Sequence, residues 1–353
     1  MDNIAHALVG AALGRAIADR RMAAPALTGA VVANAPDWTE LFIGLPSDGA
    51  NYLVLHRGIT HSLAGAAAQI ALLAALIQVG GAWWARRQGT SAPAWRWVAS
   101  AVTASVLSHL YMDWQGSYGL RPLLPWNERW YYGDFVAIVD VFFWFVPLVA
   151  LALGAHRHWR PAAGFAVPAI LLFAMLLAAD TAASWVKLAA ATVLATGAAG
   201  WTGHWFGVAR RRRAAVYALA LLVAYAGAQA LASLGARAEA GDAATARFGR
   251  GATWAVLTIA GQPFAWEPIY ASADTVAGPG WQEPRGLDDQ RVRNALRLTR
   301  EGRAMAGFAR FLTATVDSAS NGVRVVLRDA RYARAGDRGW GVLSVSLPSD
   351  PAK

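Results

Sequence analysis

The sequence predicts a mostly α-helical membrane protein: a polytopic transmembrane helical bundle followed by a small C-terminal α+β domain. Three observations carry this reading. Hydrophobic residues make up 56% of the chain and charged residues 15%, where an ordinary soluble domain is about 25% charged. Apolar runs of about 20 residues, long enough to span a bilayer, recur through the first two thirds of the chain. Beyond about residue 240 these runs stop and Gly, Arg, Asp and Pro increase. A membrane-embedded helical domain over 1–238 and an extracytoplasmic α+β domain over 239–353 follow from that change.

The clearest spanning runs are His61–Ala85, Ala94–Met112, Phe135–Ala155, Ala162–Ala179, Ala183–Phe206 and Ala214–Ala236. Two shorter segments precede them, Ile4–Ala18 and Met22–Ala35. They are marginal as spans and suit a hairpin that dips into the membrane or packs inside the bundle. Asp2 and His6 make the first segment a poor signal peptide. In the C-terminal part, Ala252–Ala260, Phe308–Val316, Gly322–Leu327 and Gly341–Leu347 are short, β-branched and partly alternating, and read as strands. Leu287–Glu301 reads as an amphipathic helix, with Asp288 and Asp289 suiting its positive end.

Basic clusters at Arg20-Arg21, Arg86-Arg87, Arg157 to Arg160 and Arg210 to Arg213 alternate with turns that carry His and Asp instead. The positive-inside rule assigns the Arg loops to the cytoplasm. The His/Asp turns and the C-terminal segment then fall on the extracytoplasmic side of a bacterial inner membrane. The net charge of +10 thus reads as topology, and no nucleic-acid partner is expected. The chain has no cysteine, which excludes disulfides and thiolate metal sites.

Six possible metal ligands sit at those turns: His6, Asp37, His56, His61, His109 and Asp113. Four of the seven histidines are in this set, and ionisable groups beside lipid usually have a use. His109 and Asp113 are four residues apart on one helix face, either bridging metal or hydrogen-bonded to each other. His56-Arg57-Gly58-Ile59-Thr60-His61 is denser. Gly58 permits a tight backbone, Thr60 suits the cap of the following helix, and Arg57 suits an anionic substrate or lipid head groups. Asn34-Ala35-Pro36-Asp37 presents Asp37 at a chain reversal, as a ligand or a capping residue. His6 alone reads equally as a satisfied bundle histidine.

Asp140 lies in an apolar run, as a ligand, a group orienting a histidine, a base, or the partner of Arg121, Arg129 or a Trp N–H. Trp114, Trp126 and Trp130 mark the loop before it as an interfacial belt or a substrate groove. Lys187 can snorkel toward the Asp180 end of its helix. No His-Glu-x-x-His, P-loop, Gly-x-Ser-x-Gly or dinucleotide fingerprint is present.

The order Met1-Asp2-x-x-Ala5-His6, Asn34-x-Pro36-Asp37, His56-Arg57-Gly58-x-Thr60-His61-Ser62 and Ser108-His109-x-x-x-Asp113 resembles the YdjM-like membrane-bound metal-dependent hydrolases. Gly133-Asp134-x5-Asp140 and Asp329-Ala330-Arg331-Tyr332 resemble the longer members. This chain departs from the family pattern in one respect: members often carry a second acidic residue two positions after the Pro-Asp aspartate, where this chain has Thr39 followed by Glu40. The resemblance implies a distant similarity to zinc-dependent phospholipases C, and metal ions acting on phosphate esters.

Together these readings predict a hydrolase that uses Zn²⁺, as one or two ions, with Mn²⁺ the alternative. The six His and Asp residues would be the ligands. Asp134 or Asp140 would orient or deprotonate the attacking water, and Arg57 would stabilise negative charge. A lipid or lipid-linked phosphate in the bilayer would be the substrate. The same cluster also suits a transporter or metal-ion carrier, and a scaffold with a structural metal is a third reading.

Overall fold

The computed structural model describes residues 1–39, 49–155, 159–319 and 322–347. Eleven α-helices are found among these: α1 Asn3–Ala18, α2 Pro25–Ala33, α3 Gly49–Leu55, α4 Leu63–Arg87, α5 Trp95–Trp114, α6 Phe142–Leu153, α7 Trp159–Ala178, α8 Ser184–Thr202, α9 Arg211–Phe248, α10 Gln290–Leu298 and α11 Arg300–Phe308. Seven strands follow α9: β1 Thr253–Thr258, β2 Trp266–Ala271, β3 Thr275–Gly278, β4 Trp281–Pro284, β5 Leu312–Ala319, β6 Gly322–Asp329 and β7 Val342–Leu347. Glu40 and Arg157 lie outside the described residues. The chain divides into two compact units.

The first unit comprises Met1–Trp38, Ile59–Ala232 and Thr258–Ala265. Asp2 caps α1 by accepting from the Ile4 and Ala5 N–H groups at 3.0 and 2.9 Å, and the Trp144 indole N–H donates to the same carboxylate. The α1–α2 crossing is built from small residues. A Cβ at Gly10 would collide with the Gly29 carbonyl, one at Gly29 with that of Gly10, and one at Gly14 with that of Pro25. The two backbones are therefore in contact, the arrangement that small residues permit between apolar helices. Val32, Ala66, Leu73, Val98, Val102 and Val106 form a core between α2, α4 and α5. A second core gathers Val9, Met112, Phe145, Leu176, Val186 and Leu222.

Among the described residues, two helical stretches are long and apolar enough to cross a membrane, Leu63–Arg87 and Val208–Phe248. The sequence led us to expect six. The run Phe135–Ala155 is helical only from Phe142 to Leu153, because residues 134–141 take an irregular path that bonds back to the Gln115 carbonyl through Phe135 and Val136. The last run is longer than expected: α9 continues to Phe248. Large apolar side chains point outward on α4 (Leu72, Leu76, Val79), α7 (Val167, Ile170, Leu171) and α9 (Leu221, Val223, Leu231). Soluble monomers rarely expose contiguous faces of this kind.

The second unit comprises Thr39–Gly58, Ser233–Leu257 and Trp266–Lys353. It holds a four-stranded sheet in the order β1-β2-β3-β4, with 258–265 belonging to the first unit, and an antiparallel sheet β5-β6-β7. β2, β3 and β4 escape the sequence reading because Pro268, Pro279 and Pro284 and the Gly278–Gly280 turn interrupt the alternation. The expected helix over Leu287–Glu301 is two helices, α10 and α11, with Thr299 capping the second through the Gly302 N–H. Phe308, expected to open a strand, closes α11. Asp289 caps α10, and the Arg291 guanidinium beside it holds its carboxyl at about 2. The buried Asp329–Arg331 pair is clasped by Phe308 and Tyr332, whose rings lie 5.1 and 4.9 Å from the guanidinium.

The Gly10→Leu substitution forces α1 and α2 apart, an overpacking cost of about 1–3 kcal/mol, and should lower the unfolding midpoint in detergent. Gly227, whose Cβ would meet nothing, is the control. Gly227→Ala should leave the midpoint unchanged or raise it, since glycine within a helix costs about 0.5–1 kcal/mol.

Candidate metal centre

Asp37, His61, His109 and Asp113 converge in the interior of the first unit, all buried, each offering one ligand atom within 4.8 Å of the others. Their positions follow from local chemistry. Pro36 ends α2's helical path, and Asp37 sits in the 3₁₀ turn Ala35–Thr39, closed by its N–H to the Asn34 carbonyl at 3.1 Å. His61 ends a second 3₁₀ turn, Ile59–His61. Ser62, not Thr60, caps α4, through the Gly65 N–H at 3.0 Å. Thr60 Oγ1 meets His61 Nδ1 at 3.2 Å instead, and the Gln69 amide donates to the Thr60 carbonyl at 2.7 Å. The turn lies against α4 so closely that a Cβ at Gly65 would collide with the Ile59 carbonyl. His109 and Asp113 share the inner face of α5.

The four ligand atoms are single, consistent atoms. His61 Nε2 lies 3.0 Å from Asp37 Oδ1, 3.1 Å from His109 Nε2 and 3.5 Å from Asp113 Oδ2. His109 Nε2 lies 3.4 Å from Asp37 Oδ1 and 3.5 Å from Asp113 Oδ2. Tetrahedral zinc with His and carboxylate ligands at about 2.0–2.1 Å has ligand–ligand edges of about 3.3 Å, so these five separations fit one ion. His109 Nδ1 donates to the Ala33 carbonyl at 2.7 Å, which fixes the tautomer and leaves the Nε2 of a neutral ring as a bare lone pair. A proton on one imidazole satisfies one neighbour at a time, whereas one cation satisfies all four groups.

His6 joins the edge of this group. Its ring stacks on His109 with centroids 3.8 Å apart, its Nε2 lies 3.3 Å from Asp113 Oδ1, and its Nδ1 is buried with no hydrogen-bond partner. The Met1 amino group pairs with the same Asp113 oxygen. His56 and Arg57 belong to the second unit, where the His56 ring stacks on Tyr52 at 4.6 Å and Arg57 is buried with φ 51°.

Asp134 is buried with φ 53°, directly after Gly133, whose N–H donates to the Trp114 carbonyl one residue beyond Asp113. Asp140 has both oxygens engaged, Oδ1 by the Phe142 N–H at 3.0 Å and Oδ2 by the Tyr225 hydroxyl at 2.8 Å and the Gln229 amide at 3.2 Å. It ties α6 to α9, with partners other than the Arg and Trp groups the sequence suggested. The loop between α5 and α6 packs Arg121 over Trp130 at 4.8 Å and is joined to the start of α4 by the Leu63 N–H to Pro122 carbonyl bond at 2.9 Å. Sequence reasoning missed the Ala33 carbonyl, Gln69 and Gly65. A glycine three residues after Ser62 and a glutamine four after that were the available signal for the last two.

Residues 1–186 match the family of YdjM inner membrane proteins. The chain belongs to this family. No curated protein and no solved structure matches the chain.

Elemental analysis of the purified YdjM-family protein should find a divalent metal near stoichiometric amounts, lost in the His109→Ala/Asp113→Ala double variant. Gly65→Ala removes no ligand but displaces the His61 turn, and should lower metal content while the protein remains folded by circular dichroism.

Proposed function

We propose that this protein is a polytopic inner-membrane hydrolase that uses a divalent metal, most readily Zn²⁺, to cleave a phosphate ester of a lipid or lipid-linked substrate. The observation that carries the reading is the buried two-His, two-Asp set with tetrahedral spacing, carried at the ends of apolar helices whose outer faces are bare hydrocarbon. Asp37, His61, His109 and Asp113 would hold the ion, with His6 as a further ligand if a second ion is present. Bound there, the metal supplies Lewis-acid polarisation of the ester and activation of water.

The protein's own groups supply the rest. The Ala33 carbonyl and Thr60 orient the two imidazoles. Asp134 accepts the proton of the attacking water as the new P–O bond forms, and the departing alkoxide takes a proton from solvent. Asp140, with both oxygens engaged, keeps α6 and α9 in place rather than acting on water. The Trp-rich loop, with Trp126 81% exposed, gives the lipid part of the substrate an interfacial surface. By the positive-inside rule the centre and the second unit face the extracytoplasmic side.

The test is hydrolysis of lipid phosphate mono- and diesters by metal-loaded protein in detergent. Turnover should depend on Zn²⁺ or Mn²⁺ and disappear in Asp37→Asn. Asp134→Asn should lower kcat by about 10²–10⁴-fold, the usual contribution of a general base, with metal content unchanged. Asp140→Asn should lower the unfolding midpoint more than it lowers kcat. Stoichiometric metal without cleavage of any phosphate ester would sink the reaction, and metal flux into proteoliposomes would then favour transport.

A further inference from the structure

The opposite ends of the same helices carry a second feature. His6 and Arg20 are separated by the length of α1, and His109 and Trp95 by most of α5. At 1.5 Å per residue each separation is about 21 Å. At that far end a cavity of about 440 Å³ opens between the turn after α1, the first turn of α2, the end of α4 and the loop into α5. Arg20, Arg21, Thr28, Gly80, Trp84 and Ser91 are among its lining residues.

Its charge is one-sided. No carboxylate pairs with Arg20 or Arg21 among the described residues, and the neighbouring Asp19 is taken by Arg211 at 2.5 Å. Arg21 lies 5.2 Å from the Trp97 ring and Arg96 lies 5.3 Å from the same ring, so the local cations gather on an aromatic rather than on acids. Arg20 has φ 59°, a left-handed backbone that glycine or asparagine adopts more easily. Trp84, Ile77 and Pro93 add apolar surface to the wall, beside the hydroxyls of Thr28, Thr90 and Ser91. The volume is many times that of one water molecule, about 30 Å³, and exceeds what a lone phosphate ion needs.

We propose that this cavity binds the phosphate head group of an anionic phospholipid from the cytoplasmic leaflet. Arg20 and Arg21 pair with the phosphate, the Ser91 hydroxyl donates to the head group, and Trp84 and Ile77 pack against the first acyl carbons. Basic pockets between helix ends on the cytoplasmic side are suited to such lipids. The site is distinct from the metal centre and does not depend on the reaction proposed there.

Gly80 provides a clean probe. A Cβ there meets nothing within 4 Å, so a side chain added at this lining position starts in open space, and the unfolding midpoint of Gly80→Leu checks that the fold is kept. Native mass spectrometry of the full chain, delipidated and then offered equal phosphatidylglycerol and phosphatidylcholine, reads retention directly. The wild type should retain phosphatidylglycerol preferentially. Arg20→Gln/Arg21→Gln should bind it roughly thirtyfold more weakly, in line with the loss of two basic residues near a lipid surface, and Gly80→Leu should also weaken it. Arg86→Gln/Arg87→Gln, outside the cavity, should keep the preference. Equal loss in that control, or no loss in the cavity variants, overturns the site in favour of general surface charge. Displacement of the lipid by equimolar inorganic phosphate overturns the lipid assignment in favour of a small-anion site.

Discussion

Two imidazole nitrogens 3.1 Å apart, flanked by two carboxylates and shut away from water, impose the constraint on which the first unit is organised. Carboxylates and imidazoles gathered in a buried place are costly unless paired, and this group could hold a metal ion. The surrounding structure supplies rigidity at each approach. The α1–α2 crossing lets backbone touch backbone, which brings His6 and Asp37 to the same level. The 3₁₀ turn before α4 delivers His61 at the helix entrance, and the i, i+4 spacing on α5 delivers the last two groups together. None of the four ligands comes from a long loop, so the group can be presented without ordering flexible chain at the moment of binding.

The chemistry was more legible than the architecture. Ligand residues are rare in an apolar chain, so His61, His109, Asp37 and Asp113 stand out wherever they fall, and the helix repeat alone puts His109 beside Asp113. Hydropathy located the long helices α4 and α9 for the same reason. It overstated Phe135–Ala155, because apolar composition does not distinguish a helix from a buried irregular segment whose backbone bonds elsewhere, here to the Gln115 carbonyl. The small strands β2 to β4 were hidden by proline and glycine. His56 shares one motif with His61, and within the second unit its ring stacks on Tyr52.

The helices that carry the ligands also separate two kinds of chemistry. One end of α1, α4 and α5 gathers acids and imidazoles, and the other gathers arginines and tryptophans. Segregated charge along a shared set of helices gives the unit an orientation in any membrane with an anionic leaflet. It also keeps Arg20, Arg21 and Arg86 away from the carboxylates of the centre, with which they would otherwise pair in competition with a metal ion.

The His109 ring is anchored by the carbonyl of Ala33, the last residue of α2. The last carbonyls of a helix have no partner within it and carry its negative end, so the acceptor is a property of the backbone. Any residue small enough for the buried position 33 against α1 presents the same oxygen, so exchange among small side chains there does not take it away. A change in chain length between 33 and 37 would take it away, because it would shift both this oxygen and Asp37 against α5. The metal centre is in this sense written partly in spacing rather than in letters. Homologous chains can therefore diverge in side chain at such a position while the number of residues between the end of α2 and Asp37 stays fixed.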